Sequence, residues 1–302
     1  MVADVTSVIV VAADSGPLLR DCVDRAFAST AAEVEVVLVD NASGDGWPQR
    51  VAAMHREGLR LRMLQNEANL GFGAACNRGA AVARGDMLLF LNPDCLLEPQ
   101  TVSRLRDVLG SDSQIAVIGV AVCDARGHTA RGNRRRDPTL RRALMTMTGL
   151  ARLDSQWPGF AGVEMQPGNV PLMPVEYVEA VSGACICVPR NAFERLHGFD
   201  EGYFLHCEDL DLCRRARDAG GRVAIANEVR VCHFQGSSSH GRPWFVSRHK
   251  HRSMWRYFRK FDPASRKPLL RLLVWGGIWT HFVLSMPRLL LKGVRARPPR
   301  AH

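Results

Sequence analysis

The sequence predicts an α/β fold built on a doubly wound, mostly parallel sheet. Within the first hundred residues, apolar β-branched runs alternate four times with helical patterns. The run Met87 to Leu91 is hydrophobic at every position, as a parallel strand buried on both faces reads. Asp14, Asp40, Asn69 and Asp94 each fall just past a predicted strand, at the rim where ligands of open α/β sheets collect.

Val5 to Ala13 reads as the first strand, and after Asp14-Ser15-Gly16-Pro17 a helical pattern runs through Leu18, Cys22, Val23, Ala26 and Phe27. Val34 to Val39 is the second strand, ending at Asp40-Asn41. The small-residue loop Ala42 to Gly46 leads to a helix near Trp47 to Glu57. Leu59 to Gln65 gives a third strand, Leu70 to Ala83 a Gly- and Ala-rich helix, and Met87 to Leu91 the fourth strand. There Asn92-Pro93-Asp94 breaks the run and delivers one carboxylate where a metal-bound phosphate would sit. The competing reading is that Asn92 and Asp94 turn the chain and cap a helix starting near Pro99, since Asn and Asp are good caps.

Ile115 to Val122 continues the sheet. From Arg126 to Arg142 the chain is strongly basic (Arg131, Arg134, Arg135, Arg136, Arg141, Arg142), and Trp157 to Pro174 is rich in Pro and Gly. This long irregular stretch reads either as a solvated basic face or as a surface for an anionic acceptor. Val178 to Pro189 has strand character, and Asn191 is expected to cap a short helix to His197. Glu208, Asp209 and Asp211 stand at the start of a helix to about Gly220, where the macrodipole favours anions. Repulsion between the adjacent carboxylates Glu208 and Asp209 can raise a pKa enough to make one a useful base. Val229 to Ser238 reads as a strand ending in His233 and a small-residue loop.

The 302 residues, 46% of them hydrophobic, are enough to bury a sizeable core and exclude a largely disordered chain. Nine cysteines without a C-x-x-C spacing read as buried thiols of a reducing compartment rather than disulfides or metal ligands. The first residues, Met1 to Val5, carry no basic region and read as the approach to a strand, not a signal peptide. The net charge of +10 is uneven. Residues 241–302 hold fifteen Lys and Arg against the single acid Asp262, so that segment carries +14 and residues 1–240 carry −4. A mildly acidic body with a basic, aromatic and apolar tail suggests an anionic membrane surface rather than nucleic acid, for which no recognised motif is present. Gly71 and Gly73 open a helix after a strand, but Cys76 stands where a dinucleotide fingerprint needs its third glycine, and the glycines follow the third strand instead of the first. An NAD-dependent oxidoreductase would account for these glycines but not for Asp94 or Glu208-Asp209. Small residues there let helix, sheet and nucleotide approach closely, with Asn77 as a polar contact.

Taken in order, the motifs resemble those of the inverting family 2 glycosyltransferases of the GT-A fold, in the rhamnosyltransferase-like branch of bacterial surface-polysaccharide synthesis. The resemblance runs from about Val5 to Tyr257. It rests on V-L-V-D-N-A-S-G-D-G ending at Gly46, N-L-G-F-G from Asn69, L-F-L-N-P-D ending at Asp94 and S-G-A at Ser182. It continues through G-F-D-E-G-Y-F from Gly198, E-D-L-D-L-C-R-R from Glu208, H-F-Q-G-S-S from His233 and R-S-M-W-R-Y-F-R-K from Arg252. It implies a GT-A catalytic domain over residues 1–240 and a helical, membrane-associating extension over 241–302. Asp40 resembles the carboxylate that bonds the nucleotide base, Asn92-Pro93-Asp94 the metal-binding D-x-D with Asp94 as its main ligand, Asp209 the catalytic base, and His233 the histidine that joins the metal and diphosphate. Asp14, Asn69, Asn77 and Asn92 fall among the implied nucleotide-sugar contacts.

Two departures stand out: Ala12-Ala13-Asp14 replaces the Thr-Tyr-Asn common in the family, and Asn92 replaces the first acid of the D-x-D. The absence of Q-x-x-R-W implies transfer of one sugar per encounter. The implied cofactor is Mg²⁺ or Mn²⁺. The implied donor is a nucleotide sugar, dTDP-L-rhamnose first and a UDP-hexose as the alternative. The acceptor is a saccharide or a polyprenyl-diphosphate-linked one. Leu269 to Leu291 is apolar and long enough to span a bilayer, but Arg271, His281, Pro287 and Arg288 interrupt it. An interfacial attachment at the cytoplasmic face of a bacterial inner membrane is therefore expected ahead of a true span, with a soluble core-packing helix third.

Overall fold

The computed structural model describes residues 5–30, 33–55, 60–130, 132–165, 173–234 and 243–295, with side chains up to Pro287. The first half follows the expected alternation: β1 (Val5–Ala12), α1 (Leu18–Phe27), β2 (Glu33–Asp40), α2 (Trp47–Met54), β3 (Leu61–Gln65), α3 (Phe72–Val82) and β4 (Met87–Leu91). Then come β5 (Cys95–Leu97), α4 (Thr101–Ser111), β6 (Ile115–Cys123), β7 (Arg134–Arg135), α5 (Leu140–Thr148), β8 (Val175–Tyr177), β9 (Ala180–Val181) and β10 (Cys185–Pro189). The chain continues with α6 (Arg190–Arg195), α7 (Glu208–Asp218), β11 (Arg222–His233), α8 (Pro243–Phe261) and α9 (Pro268–Arg295).

The main sheet has the order β3-β2-β1-β4-β10-β6-β11-β5, with β8 also paired to β11. Strands β1 to β4, β6 and β11 run one way, and β5, β8 and β10 run against them. Side chains alternate across the sheet because the strand repeat is two residues. In β1, Val8 and Val10 pack with Leu19 and Cys22 of α1, whereas Ile9 and Val11 pack on the other face with Ala75, Cys76 and Ala80 of α3. Both faces are covered, which is why the central strands are apolar throughout. The nine cysteines are free thiols, eight of them buried.

Several expectations need correction. Asn92 and Asp94 do not cap a helix: β5 follows Asp94 at once, and Gln100 takes the cap position of α4. Asn191 lies inside α6, whose cap position is Pro189, so it caps nothing. Val178 to Pro189 is two strands, β9 and β10, parted at Ser182-Gly183-Ala184. The segment from Arg126 to Arg142 contains β7 and α5, and four of its arginines are engaged by acids of the chain itself, while Arg126 and Arg141 are exposed. Arg134 pairs with Glu176 at 3.1 Å, Arg135 with Asp209, Arg136 with Asp154 at 2.7 Å and Arg142 with Glu179 at 2.6 Å. The run looks like surplus charge because its acidic partners lie far away in sequence. The approach to the first strand at residues 1–4, Arg131, the ends of the helix and strand around Glu57 and Leu59, residues 166–172, the small-residue loop 235–240 and the last residues of the tail lie outside the described residues.

Helix α8 is docked on the α/β body. Tyr257 donates to Asp137 at 3.1 Å, Lys260 bridges Asp200 and Asp211 at 2.6 Å each, and Arg256 pairs with Asp200 at 2.7 Å. Asp137 also accepts from Arg214 and Arg217 of α7, so one buried carboxylate ties three segments together. Helix α9 packs antiparallel on α8, with His281 against His251 at 2.9 Å and Phe282 against Trp244.

Candidate active site

The rim formed by the carboxyl ends of β1, β2 and β4 gathers the expected polar residues through one chain of hydrogen bonds. Asp14 Oδ1 accepts from the Gly44 N–H at 2.8 Å, and its own N–H donates to Ser43 Oγ at 3.3 Å. Asp40, fully buried, accepts from the Ser43 N–H and the Gln49 amide, both at 2.8 Å. Asp14 and Asp40 thus meet through the loop that follows β2. Asn41, which the motif reading passed over, is the hub of the next stretch. Its amide donates to Asn69 Oδ1 at 2.9 Å, and its own oxygen accepts from Asn66 at 2.9 Å and from the Leu70 N–H at 3.0 Å. Gly71 then turns the chain with φ +86°, and a Cβ there would come within 2.4 Å of the Phe204 carbonyl oxygen. The Phe72 N–H donates to that same carbonyl at 3.0 Å, joining the start of α3 to the loop that leads into α7 and its Glu208 and Asp209.

Asn77 is placed otherwise. Its amide donates to the Phe199 carbonyl and to Glu201 at 2.9 Å each, and its oxygen accepts from the Phe199 N–H at 2.8 Å. It is therefore engaged with the chain's own 199–201 loop. Asp14, Ala42, His206 and Cys207 all hold left-handed backbone, with φ between 54° and 68°. Such conformations cost energy in non-glycine residues and concentrate at functional rims.

Asp94 and His233 come together at the far side of the rim. His233 Nε2 lies 3.0 Å from Asp94 Oδ1, and the Phe234 N–H donates to the Asp94 carbonyl at 2.9 Å. A bulge in β11 makes this possible: Ala226 pairs with Val120 and Arg230 with Ala121, leaving 227–229 outside the ladder. Beyond it the strand end pairs antiparallel with β5, setting His233 opposite Cys95. The Cys95 sulfur completes a cluster whose ligand atoms all lie within 4.8 Å of one another. Burial pushes the Cys95 thiol well above its ordinary range, and it donates to the Ala184 carbonyl at 3.5 Å, so it stays a neutral thiol and a poor ligand for a hard ion. One carboxylate and one imidazole fit Mg²⁺ or Mn²⁺ as a partial shell, because such ions take the remaining positions from water and phosphate oxygens.

The segment Ser182-Gly183-Ala184 links this corner to Asp209. The Ala184 carbonyl accepts from the Asn92 N–H at 2.9 Å, and the Gly183 N–H donates to Asp209 Oδ2 at 2.9 Å. A Cβ on Gly183 would stand 2.9 Å from that oxygen, so glycine is what lets the carboxylate come so close. Asp209 also receives the Arg135 guanidinium. The adjacent acids have different fates. Burial, and after it the Asp209 charge, push Glu208 up to about 8, and its Oε2 has no hydrogen-bond partner.

This difference predicts a pH dependence. The unfolded Glu208 carboxyl ionises above its ordinary 4.5, whereas the folded one stays protonated to about 8. Its contribution is therefore fully present below pH 4.5 and is lost as pH rises toward 8. Glu208→Gln, which mimics the protonated form, should match the wild-type melting temperature near pH 5 and exceed it at pH 8. Equal melting curves at both pH values would mean that Glu208 is ionised in the native protein.

A nine-stranded mixed sheet with helices on both faces is the architecture of the GT-A nucleotide-sugar transferases. The family described as Glycosyl transferase family 2 matches residues 7–165, and the chain belongs to it. Among its relatives is the N-acetylglucosaminyl-diphospho-decaprenol L-rhamnosyltransferase of Mycobacterium tuberculosis, 29% identical over 248 residues that cover 78% of each chain. The O-antigen biosynthesis protein RfbC of Myxococcus xanthus is 29% identical over 240 residues, 77% of this chain and 17% of that one. In fold, the chain is similar to the mannosyltransferase PcManGT from Pyrobaculum calidifontis, solved in complex with GDP-Man and Mn²⁺. The TM-score is 0.58 at 19% identity, covering 98% of this chain and 74% of that one. GalNAc-T7, solved with UDP, GalNAc and Mn²⁺, aligns with a TM-score of 0.57 at 16% identity, over 93% of this chain and 55% of that one.

Proposed function

We propose that the protein is an inverting, divalent-metal-dependent glycosyltransferase that moves one sugar, L-rhamnose from dTDP-L-rhamnose, onto a polyprenyl-diphosphate-linked saccharide in bacterial surface-polysaccharide synthesis. The observation that carries this reading is the Asp94–His233 pair, assembled from the end of β4 and the bulged end of β11 at 3.0 Å. The rhamnosyltransferase named above supports the donor and the lipid-linked acceptor. A UDP-hexose donor is the alternative.

In this reading Asp94 and His233 hold Mg²⁺ or Mn²⁺, which when bound offsets the charge of the departing diphosphate. Asp40, Asp14, Asn69 and Asn92 order the rim that receives the nucleotide sugar, while Asn77 fixes the 199–201 loop behind it. Asp209 takes the proton of the acceptor hydroxyl as the new C–O bond forms and the bond to the diphosphate breaks. A single displacement assisted by one base inverts the anomeric centre.

The tail, residues 241–302, attaches the enzyme to the cytoplasmic face of the membrane. Pro268–Pro287 is long and apolar enough to cross a bilayer, and Leu269, Leu272, Leu273, Trp275, Val283 and Leu284 are exposed. However, His281 is bonded to His251 on α8, whose neighbours Arg248, Lys250 and Arg252 would be drawn into hydrocarbon by a spanning α9. That packing supports an in-plane helix with its leucine face toward lipid. Thermal-shift measurements with dTDP-, UDP- and GDP-sugars, in Mg²⁺, Mn²⁺ or EDTA, test the donor assignment. A native-state ligand raises the melting temperature. A shift with dTDP-L-rhamnose that EDTA abolishes is expected, and a shift with NAD alone would contradict the transferase reading.

A further inference from the structure

Arg135 is buried at the edge of the site, where β7 pairs with β9. One of its terminal nitrogens donates both to Asp209 Oδ2 and to the Val181 carbonyl, the latter at 2.6 Å. Its Nε is buried without a partner. Leaving a guanidinium N–H unsatisfied costs about 1–3 kcal/mol, so the placement has to be held by its other contacts. One of those contacts falls on an oxygen that is already held. Oδ2 of Asp209 is gripped by Arg135 from one side and by the Gly183 N–H from another, and Oδ1 accepts from the Leu210 N–H at 2.8 Å.

The surroundings make this choice of partner consequential. Glu208 and Cys213 lie on the same helix as Asp209, and His206 and Cys207 precede it. From α8, Lys250 faces His206 and Cys207, and His249 faces His206. The 181–184 segment offers the Gly183 N–H, and β7 offers Arg135. Two buried carboxyls side by side cannot both ionise cheaply, and without a third group they would share one proton between them. Arg135 touches Asp209, while the Glu208 Oε2 has no hydrogen-bond partner among the described residues.

We propose that Arg135 is a positioning residue for proton transfer: it selects Asp209 as the ionised member of the Glu208–Asp209 pair, fixes its rotation, and so sets the lower pH limit of turnover. The inference rests on the reading of Asp209 as the base. Burial works against the Arg135 charge, but the Asp209 carboxylate beside it outweighs burial and raises its pKa, so the guanidinium stays charged.

The test uses the full chain with dTDP-L-rhamnose, Mn²⁺ and a synthetic polyprenyl-diphosphate-linked N-acetylglucosamine acceptor, following kcat and KM from pH 5 to 9. For Arg135→Gln, kcat at pH 6 should fall roughly 100-fold, and the acid limb of the kcat profile should move up by about one pH unit or more. The donor-induced thermal shift should persist. Arg135→Lys, which keeps the charge but not the fork, should leave the limb within about half a unit of the wild type, and Arg135→Met, which also removes the charge, should move the limb as Arg135→Gln does and serves as the readout if the Gln variant fails to fold. Loss of activity by an equal factor at every pH, with the limb unmoved, would overturn the proposal, as would full activity in Arg135→Gln. Asp209→Asn separates the two ideas. If that variant turns over normally, the base reading itself fails. If it is inactive while the limb of Arg135→Gln stays put, only the role given to Arg135 fails.

Discussion

Asp209→Asn is expected to bind the nucleotide sugar as the wild type does and to lose turnover by roughly 10³-fold. The size follows from what a positioned general base contributes to a proton-transfer step. The substitution keeps the shape of the side chain and an oxygen for the Gly183 N–H, which is 2.9 Å from Asp209 Oδ2. It removes the charge that faces Arg135 and the capacity to accept the acceptor's proton. Donor affinity, which the proposed assignment gives to the Asp94–His233 corner and the β1–β2 rim, should change little. Parallel measurement of donor-induced thermal shift and single-turnover rate checks both halves. Turnover within a few-fold of the wild type would remove Asp209 from the chemistry.

Asp94→Ala is expected to fail at an earlier step. With the carboxylate gone, His233 is left as the sole ligand of the pair that lies 3.0 Å apart, and one imidazole holds Mg²⁺ or Mn²⁺ poorly. Donor affinity in Mn²⁺ should drop by about 3 kcal/mol, roughly 100-fold. It should then equal the affinity that the wild-type protein shows in EDTA. That equality is the informative comparison, because a variant that merely misfolds would also lose metal-independent binding. A calorimetric titration of donor into both proteins, with and without chelator, distinguishes the cases. A variant that still responds to Mn²⁺ as the wild type does would displace Asp94 from the metal site.

Much of this site was legible in the chain because parallel strands announce themselves. Met87 to Leu91 is apolar at every position since both its faces are covered, and a carboxylate just beyond such a strand has to lie at the ligand rim. What escaped the sequence is long-range. Arg135 reads as one more cation in a basic run, and its partner is 74 positions away. Asn77 reads as a ligand contact because nothing local reveals that the 199–201 loop, some 120 residues on, takes its amide. Cys95-Leu96-Leu97 is too short to show a period, so β5 and the bulge that brings His233 to it left no pattern to read. Asn41 sits beside the more conspicuous Asp40, and its role follows only from the backbone that folds back over it. The adjacent acids were legible as a pair, but the arginine that contacts Asp209 comes from β7, 74 positions away in sequence.

The central claim, single displacement with Asp209 as base, is tested most directly by the anomeric configuration of the product. The protein would be incubated with dTDP-L-rhamnose, Mn²⁺ and the lipid-linked acceptor, and the new linkage compared with the donor by NMR couplings. A product of inverted configuration, formed in Mn²⁺ and absent in EDTA, is the predicted result. A retained configuration would contradict the single-displacement account.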